Sequence, residues 1–180
     1  MLELALDGYL RTQDLELIRV ADVIFYDGPP AYAAVRLGES RRGESTKTGR
    51  DQGVLFDDPS SIQLLRRRTK GKKPGDRVFS LSKGVYTQWY WRAAEKTKVK
   101  KWVRPPHSVR HTAASRDLHE NYRTWQEIKR RGRWTTDTAV QRYAAAHAYL
   151  SVLAELPTEI LNRGRVLRAA RAPRPSQPLG

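Results

Sequence analysis

Between Met1 and Val23 the apolar residues Leu2, Leu4, Leu6, Leu10, Leu15, Leu17, Ile18 and Val20 recur at spacings that predict a helix and then a partly helical connection ending near Asp22, with Gly8 as an interruption. The pattern then shortens. Val23 to Tyr26 is apolar and β-prone, Asp27-Gly28-Pro29-Pro30 reads as a turn, Tyr32 to Leu37 is a second strand, and Val54 to Phe56 is a third. The intervening stretch from Gly38 to Asp51 is polar, so the three strands predict a small antiparallel sheet with Lys47 at or near the tip of a hairpin. Pro59-Ser60 followed by Ile62, Leu64 and Leu65 predicts a helix, and Gly84 to Ala94 predicts an aromatic-rich one whose Trp89, Tyr90 and Trp91 are expected in the core. Pro105-Pro106 places His107 at a helix start. Helices follow over Ser108 to His119, Tyr122 to Arg130, Thr138 to Leu153 and, beyond Pro157, Thr158 to Arg168. No internal repeat is present, and the expected class is mainly α with a small antiparallel β-sheet (α+β).

A chain of 180 residues, 39% hydrophobic with five Trp, can build one domain with a real core. Its charge narrows the partners. Lys and Arg number 34 against 19 Asp and Glu, a formal net charge of +15, and a sequence pI of about 10.5 argues for a polyanion, most often nucleic acid. A basic ribosomal or RNA-binding protein fits the composition too. The run from Arg66 to Lys73 reads equally as a phosphate-contacting loop or as a solvated connection. The absence of Cys excludes disulfides and thiolate metal sites. No apolar run approaches the roughly 20 residues needed to span a bilayer, so no membrane partner is expected and the reading is of an intracellular, nucleic-acid-associated protein, in cytoplasm and nucleoid or in a nucleus.

The segment from His107 to Tyr143 concentrates imidazoles, guanidiniums, an indole and a phenol. Breaking a phosphodiester without metal or cofactor needs a side-chain nucleophile, cations for the charge at phosphorus and an acid for the leaving alkoxide. Arg suits the second task because its planar fork holds two phosphate oxygens. Arg11, Arg110, Lys47, His107 and Tyr143 supply the types. His107 and Arg110, three apart, share a helical face, as do Arg11 and Asp14, although the latter pair also reads as a surface salt bridge. His107 and His111 are four apart, but the H-E-x-x-H form is missing, and His111 reads better as a packing residue with a local hydrogen bond. From the residues alone, Tyr143 is either a nucleophile or a half-buried tyrosine.

With these residues assembled, the chain from about Leu4 to Leu150 resembles the catalytic domain of the tyrosine recombinase, or phage integrase, family. Gly8-Tyr9-Leu10-Arg11-Thr12-Gln13-Asp14 is similar to the segment of the family's first catalytic arginine, which implies that role for Arg11 with Asp14 in support. Thr46-Lys47-Thr48-Gly49-Arg50 resembles the hairpin of the lysine general acid, and His107-Ser108-Val109-Arg110-His111-Thr112 resembles the H-x-x-R-H-T box, with Arg110 as second clamp and His111 in support. Gly132-Arg133-Trp134 lies where members have a Gly-His pair, and Trp134, nine residues before Tyr143, takes the position that is His or sometimes Trp. An indole can only donate, so Trp134 is expected to hydrogen-bond a phosphate while its ring packs on the helix of the nucleophile.

The resemblance implies a site-specific DNA recombinase or integrase, a mobile-element enzyme that cleaves and rejoins double-stranded DNA through a 3′-phosphotyrosyl intermediate on Tyr143. It implies no cofactor and no metal, and a homotetramer on DNA. Residues 1–168 are then the catalytic domain, without the family's upstream helical domain, and residues 169–180, rich in Pro, are expected to be a disordered tail. The alternatives are a non-catalytic DNA-binding remnant of a mobile-element integrase and an enzyme like type IB topoisomerase.

Overall fold

A computed structural model describes residues 1–39, 42–43, 52–143 and 146–169, apart from the side chains of residues 139, 142, 143, 146–148, 168 and 169. The tip of the predicted hairpin, with Lys47, and the expected tail beyond residue 169 lie outside the described residues. Two short helices, α1 (Leu2–Asp7) and α2 (Thr12–Leu17), lead through a 3-10 turn (Val20–Asp22) into β1 (Val23–Tyr26), β2 (Tyr32–Leu37) and β3 (Gln52–Phe56). Then come α3 (Pro59–Thr69), α4 (Lys83–Lys96), a 3-10 turn (Pro106–Ser108), α5 (Val109–His119), α6 (Trp125–Gly132), α7 (Asp137–Tyr143), α8 (Ala146–Glu155) and α9 (Thr158–Ala169). The class is mainly α with a three-stranded antiparallel sheet, in the order β1-β2-β3.

The break between α1 and α2 follows from packing. A Cβ on Gly8 would come within 2.7 Å of the Phe56 ring, and Tyr9 turns the chain with a positive φ of 47°. The sheet buries one face: Ala33, Val35 and Leu37 of β2 alternate with more exposed neighbours, and Val54 and Phe56 of β3 point the same way, in a register that pairs Val35 with Val54 and Ala33 with Phe56. These side chains meet Leu4, Leu10, Leu15, Ile18, Ile62 and Leu65 in the larger core. At the base of the β2–β3 connection Arg42 donates to both carboxylate oxygens of Asp22 at 2.9 Å, and Arg36 pairs with Glu39.

Three sequence expectations shift. Trp89, expected in the core, is 58% exposed: the buried face of α4 runs through Tyr86 and Ala94, with Tyr90 half-buried between them at four-residue spacing, and Trp89 falls outside that row. α6 begins at Trp125 rather than Tyr122, because Thr124 and Glu127 form a capping box and Asn121, at φ 54°, closes α5. The segment expected as one helix from Thr138 to Leu153 is described in two parts, α7 and α8, on either side of residues 144–145, which lie outside the described residues.

α5 is the element on which the site is built, because α1, α6, α7 and α8 all pack against it. A second, smaller core of Tyr9, Ala113, Ala114, Ile128, Trp134 and Val140 joins the α1–α2 connection, α5, α6 and α7. Beside it runs a buried ionic network. Asp117 accepts from the Tyr9 hydroxyl at 2.8 Å, from Arg116 at 2.6 Å and from Arg123 at 3.2 Å, while Arg123 and Arg131 both pair with Asp57 at the end of β3. Among the described residues no helix is long and apolar enough to cross a membrane.

The network sets an acid limit on stability. Burial alone would raise the Asp57 carboxyl, but the Arg123 hydrogen bonds and the Arg131 and Arg123 charges outweigh it and hold the group well below its usual value. His111 moves down to about 4 through burial, with the Arg110, His107 and Arg11 charges acting in the same direction. Both folded values lie below the unfolded ones, so both contributions are present at neutral pH and are lost on acidification: His111 between about pH 6.5 and 4, Asp57 below its ordinary value near 3.8. Thermal melts are therefore expected to fall from pH 7 to 4 and more steeply below 4; His111→Gln should flatten the upper limb, and a wild-type melting temperature constant from pH 7 to 4 would contradict the assignment.

Candidate active site

Arg11 stands at the N-cap of α2 in extended conformation, and its backbone N–H donates to the Asp14 carboxylate at 3.0 Å. Asp14 therefore supports Arg11 through the backbone, while its side-chain ion pair goes elsewhere, to Arg133 at 2.7 Å. The surface salt bridge between Arg11 and Asp14 that the spacing allowed is not formed; Asp14 is 4% exposed and occupied by these two donors.

Arg110 lies in the first turn of α5 and is 3% exposed. Its guanidinium carbon sits 4.7 Å from the centre of the Trp134 ring, and its Nη2 donates to the Gly132 carbonyl. The two contacts pin α5 to the end of α6. Gly132 is required by the same geometry, since a Cβ there would come within 2.2 Å of the Trp134 ring. Trp134 itself is buried at 8% exposure, tilted against Tyr9 at 6.1 Å between ring centres and packed with Val140 of α7. The expected packing of its ring on the helix that ends in Tyr143 is thus present.

His107, in the 3-10 turn before α5, is exposed, and His111 one turn later is half-buried. The Arg11, Arg110 and His107 charges all act on His111, and the Arg11 charge acts on Arg133. Three segments distant in sequence thus bring the Arg11, Arg110 and Arg133 guanidiniums near His107 and His111, next to Trp134. Tyr143 is the last residue of α7, which packs on α5 and α6; its side chain, like the whole of Lys47, lies outside the described residues. Among the described residues no group of three or more His, Asp or Glu gathers in a way that could hold a metal ion.

Sequence reasoning passed over Arg133. It closes α6 in a left-handed conformation, φ 53° and ψ 41°, which few non-glycine residues adopt, and it is 9% exposed. The signal was an Arg in the middle of G-R-W where a small residue suits the backbone. The buried Asp117 network was passed over too, since nothing in the order of Tyr9, Asp57, Asp117, Arg123 and Arg131 marks them as neighbours.

No family model matches the sequence, and no curated protein matches it. Among solved structures, a crystal structure of XerA recombinase superposes on 93% of this chain with a TM-score of 0.56 at 17% sequence identity. The two share a fold. The chain spans 57% of the length of that recombinase, and at this identity the likeness speaks for architecture alone.

Proposed function

We propose that this chain is a DNA strand-breaking and rejoining enzyme of the tyrosine recombinase kind, with residues 1–168 as its catalytic domain. The observation that carries the reading is the convergence of Arg11, from the α1–α2 connection, with His107 and Arg110 of the α5 start and with Trp134, in a fold similar to that of a recombinase. A basic RNA-binding or ribosomal protein has no reason to bring together buried guanidiniums from distant segments beside a helix ending in tyrosine.

In this mechanism the Tyr143 phenol attacks the phosphorus of a DNA phosphodiester. The Tyr143 oxygen–phosphorus bond forms, the bond to the 5′ oxygen breaks, and the product is a 3′-phosphotyrosyl link with a free 5′-hydroxyl. Arg11 and Arg110 hold the non-bridging oxygens, with Trp134 as a donor and as the ring over which Arg110 sits. His107, exposed at the turn, joins them in stabilising the charge; the phenolic proton passes to solvent, and Lys47 gives one to the leaving 5′ oxygen. His111, lowered to about 4, is neutral at pH 7 and acts through packing, and Asp14 fixes the Arg11 backbone. The covalent link conserves the energy of the broken bond, so rejoining needs no nucleotide cofactor. Double-stranded DNA is the partner, and exchange between two duplexes takes a homotetramer.

The test is a nicked suicide duplex, from which the cleaved end diffuses away and traps the adduct. Wild-type protein is expected to form a covalent protein–DNA species stable to denaturation, and Tyr143→Phe none. Binding without a Tyr143-dependent adduct would leave a DNA-binding remnant and overturn the chemistry.

A further inference from the structure

The charge in the site is not balanced. Arg133 uses Nη2 for Asp14, but its Nε and Nη1 are buried and have no hydrogen-bond partner among the described residues, and the same holds for Nη1 of Arg11. Two guanidiniums from different segments thus keep buried donors in one neighbourhood. Burial of the Arg133 side chain lowers its pKa and the nearby Arg11 charge lowers it further, against the opposing pull of Asp14. Buried donors left without acceptors are costly, more so on charged groups, and persist where something else supplies the acceptor. The Asp14 carboxylate is already shared between Arg133 and the Arg11 amide. The remaining donors suit an anion with several acceptor oxygens.

We infer that Arg133 is a third guanidinium ligand of the phosphate in this site, acting with Arg11 through the buried donors that Asp14 leaves unused, Nη1 above all. The inference rests on the reading of the site as one that binds a DNA phosphodiester, and it adds a residue to it. Arg133 holds the phosphate from the end of α6, whereas Arg110 approaches from α5 and Arg11 from the start of α2. The Asp14 ion pair tethers the guanidinium through Nη2 and so limits the directions its other donors can take. Arg133 takes a left-handed backbone that glycine would adopt without strain.

Arg133→Gly is the informative variant: its backbone accommodates glycine, while the buried Asp14 carboxylate loses its ion pair, so a lower melting temperature in chloride is expected and the readout is the phosphate shift rather than the melting temperature itself; Arg133→Lys keeps a charge and the reach to Asp14 but has one nitrogen and no fork. Two measurements are made on the full chain carrying Tyr143→Phe, so that neither depends on cleavage. In the first, melting temperatures are compared in inorganic phosphate and in chloride at equal ionic strength. The Tyr143→Phe protein is expected to be stabilised by phosphate, with the shift lost in Arg133→Gly and reduced in Arg133→Lys. In the second, duplex affinity is followed against salt, and the slope of log K on log salt should shrink by about 0.9 in Arg133→Gly, the loss of one phosphate contact. An unchanged phosphate shift or an unchanged slope in Arg133→Gly overturns the inference, as does a Tyr143→Phe protein that phosphate does not stabilise. Failure of the strand-breaking chemistry appears elsewhere, as the lack of a Tyr143-dependent adduct in the wild-type protein, and leaves both of these measurements standing.

Discussion

Replacing Arg110 by alanine is expected to slow adduct formation on a nicked duplex by about 10³-fold or more, the range seen when one preorganised donor or one arginine is removed from a site of developing negative charge. The side chain is buried, stacked on Trp134 and tied to the Gly132 carbonyl, so its position is set before any DNA arrives and none of its binding energy goes into ordering it. Arg110→Lys is expected to recover little. An ammonium cannot lie flat on the indole while donating in two directions, and the fork geometry that matches two phosphate oxygens is gone. Because the truncation also removes the α5–α6 tie, some loss of stability should accompany it. Adduct rates are therefore to be measured well below the melting temperature of each variant, with affinity for intact duplex taken in parallel. A rate loss far larger than the affinity loss is the signature of an interaction made mainly in the transition state. Equal adduct rates for wild type and Arg110→Ala would remove Arg110 from the chemistry.

Residue order alone carried the list of groups and most of the elements. The strand positions at Val23 to Tyr26 and Tyr32 to Leu37 coincide with β1 and β2 because alternation is a local property of one buried face. The helix starting at Pro59 was legible from Pro59-Ser60 and the apolar Ile62, Leu64 and Leu65, and in the fold Asp58 caps it by accepting from the Ser60 amide at 2.9 Å. What the sequence could not contain was the partner of each charge. Asp14 three residues from Arg11 invites a side-chain pair, yet in three dimensions a guanidinium 119 positions away reaches it first, and the Arg11 backbone takes the other share. Trp134 illustrates the same limit from the apolar side: its spacing from Tyr143 is a sequence fact, but the stacking of Arg110 on it and the glycine that makes room for its ring emerge only when α5 and α6 meet. Trp89 errs the other way, since aromatic content predicted burial and the packing row of α4 excluded it. Lys47 and the Tyr143 side chain lie outside the described residues, so their roles stay with the proposal.

The largest expected effect on stability belongs to a residue that touches no substrate. Asp117 is fully buried and neutralises Arg116 and Arg123 while accepting from the Tyr9 hydroxyl. Asp117→Ala leaves Arg116 and the Tyr9 phenol without this acceptor and takes one carboxylate from Arg123, which keeps Asp57; breaking a buried ionic group on one side costs about 3–5 kcal/mol. For a chain of this size that is a fall in melting temperature of about 10 °C or more. Tyr9→Phe, which removes one neutral donor and leaves the ion pairs whole, should cost only about 1 kcal/mol. The difference reaches the site through packing. Tyr9 is held in an unusual backbone conformation by its buried ring and its bond to Asp117; the ring lies against Trp134, and Trp134 carries Arg110. Asp117→Ala should therefore depress adduct formation even at temperatures where the protein stays folded, while Tyr9→Phe, which keeps the ring in place, should leave the rate close to wild type. Thermal melts and adduct rates on the two variants separate the outcomes: a destabilised Asp117→Ala protein with a wild-type rate would show that the ionic network holds the fold together without positioning the clamp.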